Sequence, residues 1–342
     1  MTAVMDMPHE PGALTFTLLR LLADGEFHSG ERLARQLGIS RASVNNALRG
    51  LENYGLELYS VRGRGYCLPN PPQWLEVKRI ADYLGERRRN FHIEILDSAT
   101  SSNTLLLQRA RADTAGTPSG SVLAVEWQSG GRGRLGRTWY SGLGNALTFS
   151  LLWRFDCGLS ALSGLSLAAG VALIRALHAL GITGAQLKWP NDVLGKNGKL
   201  AGILIETQGD MLGPSTVVIG IGLNLALSQK VLRQVDQPAS SLVEMAGAMP
   251  QRNHLLATIL LELDKVLREF AAQGFAALRA EWQRYHGMQN QPVQLSLPDG
   301  NRVDGIVRGV ADDGALMLET QQGIRRFNIG EVSLRSAGYA AA

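Results

Sequence analysis

The chain is poor in cysteine: Cys67 and Cys157 are the two in 342 residues, and they fall in no metal-ligand or redox spacing. A disulfide framework and a cysteine-held metal are therefore excluded, and a reduced, cytoplasmic setting fits best. Charge of one sign is also scarce. The formal net charge is +4, so any case for nucleic acid must come from local arrangement and not from the total. The opening stretch MTAVMDMPHEPGA has neither the basic start nor the apolar run of a signal peptide. The most apolar segment, Ala161 to Leu180, carries Arg175 and His178, is interrupted by Ser163, Gly164, Ser166 and Gly170, and has a helical period. It reads as a buried helix and not as a membrane span. What is present is ordinary globular material: 45% hydrophobic residues, in a chain long enough for two or three domains.

Two blocks carry chemistry. The first is Gly131-Arg132-Gly133-Arg134-Leu135-Gly136-Arg137-Thr138-Trp139. Guanidinium groups bind phosphate-like oxygens in bidentate fashion, and glycine lets the backbone come close. The second runs Lys188-Trp189-Pro190-Asn191-Asp192 and then Lys199-Leu200-Ala201-Gly202. A fixed lysine near the same anion can neutralise the charge that develops when a carboxylate attacks a phosphoryl group. Together the blocks point to acyl-adenylate chemistry. The first also satisfies G-x-G-x-x-G, with Asp156 about twenty positions on. A dinucleotide-binding turn must open a helix, however, and Thr138 to Asn145 reads as loop and then strand, so that reading is set aside.

The pattern divides the chain into an α+β, multidomain protein. Residues 14–68 read as a winged helix-turn-helix. Leu14 to Ala23 is a first helix, Ser29 caps a second that Gly38 stops, and Ser40 caps a third running to Tyr54. Val44, Ala47, Leu48 and Leu51 share one face of the third, leaving Arg41, Ser43, Asn45, Asn46 and Arg49 on the other surface. Two strands then flank Arg62-Gly63-Arg64-Gly65, a basic wing tip. Residues 1–70 hold seven basic and seven acidic side chains, so a protein-interaction module stays open beside DNA binding. Residues 69–90 read as a linker, with Pro69-Asn70-Pro71-Pro72 breaking structure and Glu86 to Asn90 a solvated charged stretch. Residues 91–288 mix strands and helices around one large sheet of undetermined order. From 289 to 337 short alternating strands punctuated by Asp299-Gly300, Asp313-Gly314 and Gln322-Gly323 read as a small SH3-like β-barrel.

The blocks Gly-Arg-Gly-Arg-x-Gly-Arg-x-Trp, Lys-Trp-Pro-Asn-Asp and Lys-Leu-Ala-Gly resemble those of the biotin–protein ligases. Gly25 to Glu31 and the helix beginning Ser40-Arg41-Ala42 resemble the bifunctional subgroup, the biotin operon repressors, and the C-terminal barrel has its counterpart there. The resemblance implies activation of biotin with ATP and Mg2+, then transfer to a lysine of the biotin carboxyl carrier protein of acetyl-CoA carboxylase. It also implies operator DNA as a partner, a homodimer when the adenylate is bound, and repression of biotin-synthesis genes. Lys199 is the principal catalytic candidate, with Arg134 retaining the adenylate and Asp192 and Lys188 in second rank. Arg132, Gly133 and Arg137 wall the ligand, Gly202 allows close approach, and Gln128 and Asn224 are ligand contacts. Ser101-Ser102-Asn103 matches the Ser-Thr-Asn element that binds the ureido ring. It departs by a serine for threonine and by three extra residues after Asp97, so a register on Ser98-Ala99-Thr100 stays open. Leu225 to Ala239 corresponds to the segment that closes over adenine but contains no tryptophan. Trp139 packs either beneath the arginine loop or in the core. No resident metal site is read from the sequence. A biotin-sensing factor without ligase activity and a lipoate–protein ligase remain as alternatives.

Overall fold

The computed structural model describes residues 10–228, 232–235, 237–297 and 299–328, together with the backbone of 333–336. The signal-peptide reading of the first residues, parts of the 225–239 loop and the end of the C-terminal unit lie outside the described residues.

Three helices, α1 (Ala13–Leu21), α2 (Gly30–Leu37) and α3 (Arg41–Leu48), precede an antiparallel hairpin of β1 (Tyr59–Val61) and β2 (Gly65–Cys67). The caps are local chemistry. Ser29 Oγ accepts from the Arg32 amide at 3.1 Å, Ser40 Oγ accepts from the Ser43 amide at 3.0 Å, and Gly38 takes φ 65°. The third helix is shorter than its apolar face implies. Arg49 turns extended at ψ 135°, Gly50 adopts φ 76°, and Leu51–Tyr54 continues as a 3-10 turn that still delivers Leu51 to the core. Phe16, Leu18, Leu19, Leu22, Leu33, Val44 and Leu68 are fully buried there.

The connection after residue 68 contains more structure than its prolines suggest. Helix α4 (Val77–Leu84) buries Ile80 and Leu84, and a 3-10 turn over Gly85–Asn90 carries the solvated arginines. Residues 73–76 are held by a buried ionic knot. Arg252 Nη1 lies 2.7 Å from Glu126 Oε2 with both side chains at 0% exposure, and Glu126 Oε1 also accepts from the Leu75 amide at 2.8 Å. The backbone supports the pair, the Gln73 and Ala146 carbonyls accepting from Arg252 Nη1 and Nη2.

The central unit is built on a seven-stranded sheet of order β3-β4-β5-β9-β8-β7-β6. Its strands are β3 (His92–Ala99), β4 (Ser121–Gln128), β5 (Ala146–Phe155), β6 (Gln186–Lys188), β7 (Asp192–Leu194), β8 (Lys199–Gly209) and β9 (Ser215–Asn224). β3 and β4 pair in parallel and the other neighbours are antiparallel. Helix α5 (Ser102–Ala112) packs on β4, β5 and β9, burying Leu106, Leu107 and Ala110. The apolar segment after Ala161 does form a buried helix, α6 (Leu165–Ala179), packed against the long α8 (Arg252–Gln273); the short α7 (Leu242–Ala246) precedes it and α9 (Arg279–Arg284) follows. The polar interruption Arg175 is satisfied by Glu281 and Glu269. No described helix is long and apolar enough to cross a membrane.

The C-terminal strands β10 (Pro292–Ser296), β11 (Arg302–Val310), β12 (Leu316–Thr320), β13 (Gly323–Phe327) and β14 (Ser333–Ser336) form an antiparallel sheet of order β13-β12-β11-β10-β14, as an SH3-like unit requires. Gly300, Gly314 and Gly323 all turn with positive φ at the expected hairpins. This unit touches the central one through the Asp313-Gly314 turn, where the Gly314 carbonyl accepts from Trp189 Nε1 at 3.0 Å.

Candidate functional site

A cavity of about 790 Å³ opens between the start of α5, the 131–140 loop, the β6–β8 edge of the sheet and residues 234–235 and 237–239. Its size suits a ligand of several fused or linked rings. Ser101, Ser102, Asn103, Gln128, Arg132, Gly133, Arg134, Arg137, Lys188, Asp192, Lys199, Gly202 and Asn224 all line it. The first and last of these are more than a hundred positions apart, and pairing of β4, β5, β9 and β8 brings them together. Ser98 and Thr100, from the alternative register, are not in the lining.

One end of the cavity is neutral and polar. Ser101 caps α5, its Oγ accepting from the Thr104 amide at 3.4 Å, and Gln128 Oε1 accepts from the Ser102 amide at 2.7 Å. The Ser150 hydroxyl stands 2.6 Å from Asn103 Oδ1 and 2.7 Å from the Ser102 hydroxyl. Asn103 Nδ2 donates to the Leu204 carbonyl and to Glu206 Oε2, each at 3.1 Å. These three consecutive residues are each no more than 4% exposed. A buried array of short hydroxyls and amides with fixed donors and acceptors can read a compact polar ring.

The other end is cationic. Lys199 Nζ lies 2.6 Å from Asp192 Oδ1, the side chains being 19% and 14% exposed. The register places the pair: Asp192 opens β7 opposite Gly202, and Lys199 opens β8 opposite Leu194. Asn224 Nδ2 pins the carbonyls of Lys199 and Ser240, each at 3.2 Å, so Asn224 acts through the backbone of the lysine. Arg134 reaches Asn191 Oδ1 at 3.4 Å through Nη1, while its buried Nη2 has no hydrogen-bond partner. Burial pulls Arg134 below the ordinary guanidinium range, the Asp192 carboxylate opposes that pull, and Arg137 reinforces it. A desolvated guanidinium with a spare donor is prepared for an anion. The loop closes on itself, since the Gly133 amide donates to the Arg137 carbonyl at 2.7 Å. Leu135 sits at its tip with φ 55°, a left-handed conformation uncommon for a non-glycine residue.

Between the two ends, Gly202 and Gly222 face each other across β8 and β9. The Trp139 indole lies on this bare patch: a Cβ at Gly222 would come within 2.3 Å of the ring, and one at Gly202 within 3.3 Å. Lys199 Nζ is 5.8 Å from the same ring's centroid. Trp139 therefore packs under the arginine loop and against the sheet, outside the hydrophobic core, with its Nε1 buried and unpartnered.

Two residues of this site carry no signal in the motifs. Ser150 sits in an apolar strand, fully buried, and Glu206 lies toward the far end of β8. Strand alternation could have found Glu206, because Gly202, Leu204 and Glu206 project from the same face.

On the N-terminal unit, Arg41, Asn45, Asn46 and Arg49 are exposed, Ser43 is half-buried, and Arg62 and Arg64 are exposed on the wing. Several already have partners. Ser43 Oγ is 2.9 Å from Ser40 Oγ, Arg49 donates to Asn46 Oδ1 at 2.9 Å, Tyr66 donates to Asn45 Oδ1 at 3.2 Å, and the Arg64 guanidinium stacks 3.9 Å from the Phe27 ring centroid. The Tyr66–Asn45 bond joins the wing to the third helix. The unit also touches the central one: Asn145 Nδ2 donates to the Gly55 carbonyl at 3.1 Å, the Leu143 amide donates to the Tyr54 carbonyl at 2.8 Å, and Arg20 pairs with Asp97. Among the described residues no cluster of three His, Cys, Asp or Glu could hold a metal ion.

Comparison with known proteins follows this division. The model of the biotin/lipoate A/B protein ligase family matches residues 96–224, that of an HTH domain matches 15–67, and that of the biotin protein ligase C-terminal domain matches 290–335. The bifunctional ligase/repressor BirA of Escherichia coli is 38% identical over 94% of this chain and 97% of its own. Its Bacillus subtilis namesake is 30% identical over 91% and 95%. The biotin–[acetyl-CoA-carboxylase] ligase of Mycobacterium tuberculosis is 35% identical over 66% of this chain and 83% of its own. Among solved structures, the biotin protein ligase of Aquifex aeolicus in complex with biotin and ATP superposes with a TM-score of 0.60 at 26% identity, covering 72% of this chain and 99% of that one.

Proposed function

The chain belongs to the biotin protein ligases of the bifunctional ligase/repressor type, and from that membership we propose that it activates biotin with ATP and passes it to a carrier lysine. The observation that carries this reading is the convergence of Lys199, Arg134, Ser101, Ser102 and Gln128 on one cavity. The acceptor is the biotin carboxyl carrier protein of acetyl-CoA carboxylase, and the setting is the cytoplasm.

The neutral end takes the ureido ring, whose two N–H groups and one carbonyl match the serine hydroxyls and the amide group of Gln128. That directs the biotin carboxylate toward Lys199. The carboxylate oxygen attacks the α-phosphorus of ATP and pyrophosphate leaves, forming biotinyl-5′-AMP. Lys199 exchanges its partner Asp192 for the incoming anions and offsets their mutual repulsion. Arg134 holds the phosphate with its spare donor, and Arg132 and Arg137 close the walls. Lys188 contacts phosphate from the neighbouring strand. Ordering of the 131–140 loop excludes water from a mixed anhydride that would otherwise hydrolyse. The amine of the carrier lysine then attacks the acyl carbon, AMP departs, and the amide remains. Asp192 positions Lys199 and orients the arriving amine. Mg2+ enters with the nucleotide. Asp192, the one carboxylate among the described lining residues, would suit an ion that takes most of its ligands from water and phosphate.

In its second role the adenylate-bound chain dimerises, and the paired helix-and-wing faces bind a two-fold operator of biotin-synthesis genes. Purified protein mixed with ATP, biotin and an acceptor domain tests the first role: biotinylated acceptor is expected, and its absence overturns the ligase reading. Lipoate should fail to compete with biotin in pyrophosphate release. A gel shift on promoters of biotin genes, expected only with biotinyl-adenylate, tests the second.

A further inference from the structure

The steps above leave one carboxylate at the site without a role. Glu206, 20% exposed, uses its two oxygens on two different parts of the cavity wall. Oε1 lies 3.0 Å from Arg132 Nη1, near the start of the arginine loop. Oε2 accepts from Asn103 Nδ2 at 3.1 Å, at the start of α5. Arg132 Nη1 also donates to Thr104 Oγ1 at 3.1 Å, the residue after Asn103. The loop is thus tied to the helix that forms the polar end of the cavity.

The same contacts decide which way the Asn103 amide faces. Both its N–H groups are committed, one to Glu206 and one to the Leu204 carbonyl, while Oδ1 receives Ser150. Reversing the amide would put Oδ1 against a carboxylate and a carbonyl, two acceptors with nothing to donate. The negative charge of Glu206 therefore selects one orientation of Asn103. The Ser150 hydroxyl then carries that choice to Ser102, 2.7 Å away.

Resting on the ligase reading, we propose that Glu206 is a positioning residue for biotin: it sets the donors and acceptors of the ring-binding end and, through its second oxygen, tethers the loop that covers the adenylate. Ring recognition and loop order then share one side chain. The hydrogen bonds of Glu206 go to Arg132 and Asn103 and not to Lys199 or Arg134, so its removal acts on binding and leaves the chemical step alone.

The test uses the full chain with Glu206→Gln, which keeps shape and one acceptor but loses the charge, and Glu206→Asp, which keeps the charge but shortens the reach. Pyrophosphate release gives KM and kcat for biotin. Trypsin cleavage at the loop arginines, followed against biotin concentration, gives loop order without reference to turnover. For Glu206→Gln we expect KM to rise about tenfold, the scale of one lost charge-assisted hydrogen bond, with kcat within about twofold. The biotin concentration that protects the loop should rise by the same factor, and Glu206→Asp should fall between. Combined with Arg132→Gln, the KM effects should be less than multiplicative, because both changes cut one tether. Unchanged KM and unchanged protection in Glu206→Gln would overturn the proposal. So would a lowered unfolding midpoint with wild-type KM, which marks a structural role only. Wild-type protein without biotin-dependent pyrophosphate release instead removes the ligase reading itself.

Discussion

The ligand cavity and the N-terminal polar face are two ways of presenting charge. In the cavity, Arg134, Asp192 and Lys199 are largely withdrawn from water, and strand pairing sets the distance between Asp192 and Lys199. On the N-terminal face, Arg41, Arg49, Arg62 and Arg64 stand in solvent on one short helix and one hairpin. Withdrawal strengthens electrostatic interaction and makes each group's geometry decisive, as a reaction with developing charge demands. Exposure gives weaker, screened and roughly additive contacts, which suit a phosphate backbone read over many positions. The two regions meet at Tyr54, Gly55 and Asn145, so the contrast lies within one molecule and not between independent modules.

That contrast is open to experiment. The largest effect should come from Lys199→Met, which removes the cation aimed at the developing charge: pyrophosphate release should fall roughly 10²–10³-fold with the fold intact. Undiminished release would put the reacting centre elsewhere. Acid should act next, through the buried His286 that follows α9 and lies outside both regions. Burial drives His286 down from 6.5 to about 4. The unfolded chain therefore binds a proton that the folded one refuses between those values, and stability is lost as pH falls through that window. The loss amounts to on the order of 3 kcal/mol by pH 4, and is absent above about pH 6.5. His286→Gln should flatten the dependence in urea unfolding followed across that range; an unaltered slope would assign it to other groups. Arg134→Lys keeps charge but loses the fork. Biotinyl-adenylate should escape roughly tenfold faster in a filter or rapid-quench assay, with its formation less affected. The smallest effects belong to the exposed face. Arg41→Ala or Arg62→Ala should each reduce the salt dependence of operator binding by about one phosphate contact, with acceptor biotinylation unchanged. A collapse of binding from either change alone would mean that this face, too, works by a few indispensable contacts.

Legibility in the sequence followed the range of the interaction. Ser29, Ser40 and Gly38 announced the helix ends because a cap is decided within four residues. The third helix ran past its true end on paper. Leu51 continues the apolar face, while Arg49 turns extended and Gly50 takes a left-handed conformation that ends the helix. Helix α4 hid behind a proline-rich lead-in, since its two buried residues find their partners on α8, far along the chain. Ser150 was invisible as a site residue for the same reason, a hydroxyl in a hydrophobic strand until the sheet is assembled. Glu206 was within reach of alternation along β8, which puts it on the face of Gly202 and Leu204.

By itself, the order of amino acids determined the segmentation, the caps and turns, and the two charged glycine-bearing blocks with the chemistry they can support. These depend on backbone preferences and on residue types a few positions apart. The strand order, the ion pair of Lys199 with Asp192, the seat of Trp139 on facing glycines and the double attachment of Glu206 were decided by tertiary structure alone. Each requires groups distant in sequence to be held within a few ångströms, and only the buried sheet and the helices packed on it supply that constraint.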